Sequence, residues 1–164
     1  MRVFIAVLVL IFSLQSWTKA DDISDFEIEG ISIGDSLLDY YSKSQIENFV
    51  LVSYPSSDKF IGWETSENIK LKQYDAMTFH VKKEDANYII FSIKGMKDYP
   101  NKLDQCLEKK KDVVKEIEDN FELKNKYTYT NDYAGAAGKS IAYITDFELL
   151  DGGTVRIWCA KWDK

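Results

Sequence analysis

Two cysteines constrain this chain more than any other pair of residues. Cys106 falls on a helical stripe, Cys159 falls in the last strand-like run, and no third cysteine competes for either. Whether they bond depends on compartment, because disulfides persist in oxidising surroundings and are rare in the cytosol. The first twenty residues bear on that question. Met1 and Arg2 give a short positive start, Val3 to Leu14 are apolar apart from Ser13, and Thr18-Lys19-Ala20 ends on a small residue before Asp21. That is the pattern of a secretory signal peptide. The run is shorter than the roughly 20 apolar residues a membrane span requires. The sequence therefore predicts a signal peptide over 1–20 and a single α+β domain over 21–164, exported to the periplasm as a soluble protein. In that compartment Cys106 and Cys159 are expected to form a disulfide. Closing a loop of about fifty residues contributes roughly 4 kcal/mol in the chain-entropy account. Catalytic redox cysteines usually sit two residues apart, and these do not.

Hydrophobic period sets the remaining elements. From Lys102 to Phe121, apolar residues at 103, 106, 107, 113, 114, 117 and 121 form one helical stripe, with charge on the other face. Lys109-Lys110-Lys111 reads as solvated helix surface, Lys110 laying its aliphatic stem over the core. Met77, Phe79 and Val81 alternate with polar neighbours, and 87–94 is a more buried run, so the two read as a hairpin. Ile141–Leu150 and Thr154–Trp162 read as a second hairpin around Asp151-Gly152-Gly153. Lys59 to Glu64 offers a brief strand. Leu37 to Tyr41, capped by Asp35 or Ser36, and Ser44 to Phe49, with Glu47 completing a capping box, read as two short helices. Asn101 is the expected cap of the long helix. The fold class is α+β, a mainly antiparallel sheet with one long amphipathic helix packed on it and two short N-terminal helices.

Charge restricts the partners. The chain carries 21 Lys+Arg against 27 Asp+Glu, a net −6, and losing Arg2 and Lys19 with the leader makes it −8. Nucleic acid is excluded as a partner because phosphate binding needs a basic face. A cationic protein or envelope component fits, since opposite charge speeds encounter.

Catalytic motifs are sparse. Gly34-Asp35-Ser36-Leu37 resembles the nucleophile block of the GDSL (SGNH) hydrolases, which would make Ser36 the nucleophile and leave His80, the single histidine, as its base. Three residues before His80 stands Met77 where those enzymes have Asp, and the same block serves equally as a helix start. Gly138-Lys139-Ser140 resembles the end of a phosphate-binding loop, but a β-rich run follows it where a helix is required. One histidine and two distant cysteines give no metal set, and no cofactor is implied. Tyr127, Tyr129, Tyr133, Trp158 and Trp162 remain as a possible flat contact surface, with core filling as the alternative reading.

The stretch Asp25–Tyr40, then Tyr74-Asp75-Ala76-Met77, Tyr88–Ile93 and the Cys106 helix resembles short exported proteins of marine alphaproteobacteria of the Pelagibacter type. The resemblance implies a bacterial periplasmic setting and no mechanism. The expectation is a non-catalytic periplasmic protein that binds a protein or envelope component, its oligomeric state open. A small-molecule carrier with a pocket between helix and sheet and a Ser36 esterase are the alternatives.

Overall fold

The computed structural model describes residues 22–53, 58–65, 68–133 and 140–161. The expected signal peptide lies outside them, as do Gly138, Lys139 and Trp162. The architecture is α+β, antiparallel throughout, with one long helix. It differs from the expectation in having three sheets. A two-stranded ribbon joins β1 (Glu27–Ile28) to β2 (Ile31–Ser32). A four-stranded sheet runs in the order β3 (Val50–Val52), β4 (Phe60–Glu64), β5 (Ala76–Lys82), β6 (Ile90–Met96). A three-stranded sheet runs β7 (Leu123–Tyr133), β8 (Ser140–Leu149), β9 (Thr154–Lys161).

The two expected N-terminal helices are not upheld. Leu37–Asp39 is a single 3-10 turn capped by Ser36, and Lys43–Glu47 (α1) is barely more than one α-turn. Each buries one residue, Leu37 and Ile46, which is too little apolar surface to define a helical face. The capping box falls two residues earlier than expected. The Ser42 N–H donates to Gln45 Oε1 at 2.9 Å, and the Gln45 N–H donates to Ser42 Oγ at 3.4 Å. The long helix, α2, spans Leu103–Asn120. Its cap position is Lys102, without a side-chain hydrogen bond, and not Asn101, whose φ of 56° places it in the left-handed region.

Each large sheet builds its own core. Met77, Phe79 and Val81, one face of β5, pack with Ile31, Leu37, Ile46, Phe49 and Ile90. The period-two alternation does this work, placing every second side chain of β5 on the buried face. A register shift at His80/Val81 pairs Val81 with Ile90 and sets Phe91 outward against Phe60, 5.4 Å between ring centroids. The second core joins Ile117 and Phe121 of α2 and its C-cap to Phe147, Leu149 and Val155. The Cys106–Cys159 pair has disulfide geometry, with Cα atoms 6.0 Å apart, and ties the first turns of α2 to β9. Half-buried Lys110 reaches Thr145 Oγ1 beneath the helix. Burial, with Lys126 nearby, lowers the Lys110 pKa below the usual lysine value.

Candidate functional site

The Ser36 hydroxyl is engaged with the backbone, and His80 lies in the middle of β5. Gly34, at φ +94°, turns the chain so that the block can lie against the start of β6. The Gly34 N–H donates to Ile90 O, the Ile90 N–H to Asp35 O, and the Leu37 N–H to Tyr88 O. The Ser36 hydroxyl donates to Asn87 O at 2.6 Å and accepts from the Leu38 N–H at 3.2 Å. Asp35 accepts from the Ser32 N–H at 2.9 Å and from the Tyr40 hydroxyl at 2.5 Å. That last bond holds the Asp35 carboxyl below the usual carboxylate range and pushes the Tyr40 phenol up to about 12. His80 pairs with Gly62 and Ser92 across its sheet. It sits on the face of β5 opposite Phe79 and Val81, whereas Leu37, next to Ser36, is buried against the Phe79 side. Burial lowers the His80 pKa, and Lys94 adds to that, outweighing a backbone hydrogen bond to Ser92.

The tyrosines are arranged differently. Among the described residues β7 is an edge strand paired with β8, and from Lys126 to Asp132 every residue is exposed. The register sets Tyr127 beside Asp146 and Arg156, and Tyr129 beside Ile144 and Trp158, on the face away from α2. Tyr127 is 55% exposed and Tyr129 40%. Arg156 grips Asp146 with two hydrogen bonds, Nε to Oδ1 at 2.7 Å and Nη2 to Oδ2 at 2.9 Å. The Tyr129 hydroxyl donates to the same Asp146 Oδ2 at 2.9 Å. Arg156 first, then Tyr129, hold the Asp146 carboxyl below the usual carboxylate range. The planar guanidinium matches the carboxylate in two-point fashion, so the Tyr129 ring is oriented without being buried.

Trp158 belongs to the inner part of this face. It is half-buried in the row with buried Ile144, and the Lys94 ammonium lies 5.8 Å from its ring centroid. Tyr143 pairs with Cys159 and so faces the opposite way. Tyr133 ends β7, its side chain outside the described residues, as is Trp162. The structure thus brings Tyr127, Tyr129, Asp146 and Arg156 into one strip. Sequence reading missed Asp146 and Arg156; their opposition follows from the register set by the Asp151-Gly152-Gly153 hairpin, and that turn was the available signal.

Two open depressions accompany the strip. One, of about 420 Å³, is lined by Gln45, Asn48, Asn68 and Ile69, and the other, of about 430 Å³, by residues of the β5–β6 turn with Ile89 and Phe91. Neither lies between α2 and its sheet. Among the described residues no three His, Cys, Asp or Glu side chains converge on a metal position, and no helix is long and apolar enough to cross a membrane. Comparison of the chain with protein-family profiles, with curated proteins and with solved structures gives no match.

Proposed function

We propose that this is a non-catalytic, exported binding protein of the periplasm, and that its contact surface is the outer strip of β7. The carrying observation is the exposure of Tyr127 and Tyr129 on an eleven-residue edge strand, with Tyr129 braced by the Asp146–Arg156 pair. Tyrosines give large contact area at low entropic cost, and an anchored ring loses still less freedom on binding. The apolar run near Met1 and the disulfide-compatible cysteines support export. The acidic net charge favours a cationic protein or envelope component. A catalytic reading has less support, since the Ser36 hydroxyl already donates to a backbone carbonyl. Immobilised protein should retain a partner from a periplasmic extract, and Tyr127→Ala with Tyr129→Ala should abolish retention. Ser36-dependent ester hydrolysis with nothing retained would contradict the proposal.

A further inference from the structure

We infer that segment 68–74, which carries Ile69 and Leu71 onto the first core, is a strap that opens on its own, and that the Glu29 carboxylate is the latch that keeps it shut. The inference is independent of the contact surface proposed above.

The strap is held differently from its surroundings. It lies between β4 and β5 in neither helix nor strand, and among the described residues it makes no backbone–backbone hydrogen bond. Three consecutive N–H groups donate instead to one carboxylate, that of Lys72 to Glu29 Oε2 at 2.9 Å and those of Gln73 and Tyr74 to Oε1 at 2.6 and 3.3 Å. Successive N–H groups aimed at one point form an anion-binding concavity, and this one is filled by a side chain from the turn between β1 and β2. Backbone pairing resumes at once after the strap. The Asp75 N–H donates to Met96 O at 2.8 Å, and the Asp75 carboxylate accepts from the Asp98 N–H at 2.8 Å. Asp75 is therefore the fixed end.

The latch residue is strained. Glu29 and Gly30 join β1 to β2 with φ of 59° and 80°. A turn of this kind favours Asn or Asp before Gly, and glutamate enters the left-handed region at a cost. The turn does not call for glutamate, whereas the three N–H groups do; strain of this sort persists where the surroundings over-determine it. Beneath the strap, Ile69 and Leu71 are partly buried against the cluster that includes Met77 and Phe79. Two partly buried side chains and one carboxylate are a small hold beside that of paired strands, which is the character of a segment that opens below global unfolding. Asn68 and Ile69 also wall the depression of about 420 Å³ that Gln45 and Asn48 complete, so opening joins that space to the apolar core.

Burial raises the Glu29 carboxyl, but the three N–H groups, with the Lys72 ammonium, outweigh it and hold it below its ordinary value. The phenols facing it, Tyr41 and Tyr74, are raised by burial first and then by nearby carboxylates, Glu29 for both and Glu116 of α2 for Tyr74, with Tyr99 also facing Tyr74. Both phenols stay neutral in acid. The latch is thus complete above the unfolded carboxylate value and is released as pH falls through the folded one.

Amide hydrogen exchange, read residue by residue by NMR and corrected for the intrinsic rate at each pH, is the test. In the natural protein the Lys72 and Gln73 amides should lose at least about tenfold of their protection between about pH 6 and about pH 3, while those of β5 and β6 keep theirs. Glu29→Gln should cost the same two amides at least about tenfold at neutral pH and make what remains independent of pH. Protection that the variant leaves intact overturns the inference, as does protection lost equally across β5 and β6. Should the variant not fold, the natural protein decides alone: protection of Lys72 and Gln73 that stays flat over that pH range overturns it.

Discussion

Ser36, whose residue type and neighbours resemble a nucleophile block, makes two backbone hydrogen bonds. Its oxygen caps a 3-10 turn and its proton goes to Asn87 O, so Ser36→Ala should cost about 1 kcal/mol of stability in denaturant unfolding. His80 should show itself in the pH dependence of stability. Its folded pKa lies below the ordinary 6.5 because burial disfavours the charged ring, so its contribution is complete above that value. Stability erodes as pH falls from 6.5 toward the lower folded value, and His80→Gln should flatten that part of the curve. Asp146 behaves in the same sense at lower pH. Its depressed pKa gives a contribution present above the unfolded carboxylate value and lost as pH falls through the folded one. Removing the guanidinium with Arg156→Met should raise the Asp146 titration seen by NMR. The stability change should stay under about 1 kcal/mol, because Arg156 is 60% exposed and water screens the pair. The Ser36 cap was legible in the sequence because it is local, whereas the Arg156–Asp146–Tyr129 bonds were not, since they join residues brought together only by strand register.

At the scale of elements, legibility follows burial. α2, the β5–β6 hairpin and the β8–β9 hairpin were readable because one face of each is buried and the period shows in the residues. Cys106 on the stripe and Cys159 on the inner face of β9 meet for the same reason. Replacing both with Ser should lower stability by roughly 4 kcal/mol, measured against the oxidised protein. β7 was not readable as a strand because it buries so little that no apolar alternation exists; only the Tyr-Thr-Tyr-Thr preference for extended backbone marks it. The division into three sheets was also hidden, since strand order depends on which edges stop pairing. Close packing between elements can be probed at Gly95, where an added Cβ would come within 2.7 Å of the half-buried Tyr74 ring. Gly95→Ala should destabilise by about 1–3 kcal/mol as that ring is forced aside.

Over the whole molecule, two cores support a surface whose notable apolar exposure includes an edge strand rather than a cavity. Charge and composition led to the expectation of a binder rather than a nucleic-acid protein before any geometry was known, but they carried no information about which face to propose. The proposed face rests on pairing: Tyr127 and Tyr129 share a side of β7, and Asp146 and Arg156 hold one of them in place. Neither tyrosine supports a core, so replacing both should leave the unfolding midpoint nearly unchanged. The most direct measurement is therefore a paired capture from periplasmic extract, using the natural protein and the Tyr127→Ala, Tyr129→Ala double variant, with retained components quantified by mass spectrometry. The account predicts a component held by the natural protein and reduced at least about tenfold by a variant that folds equally well. Equal retention by the two proteins would contradict it.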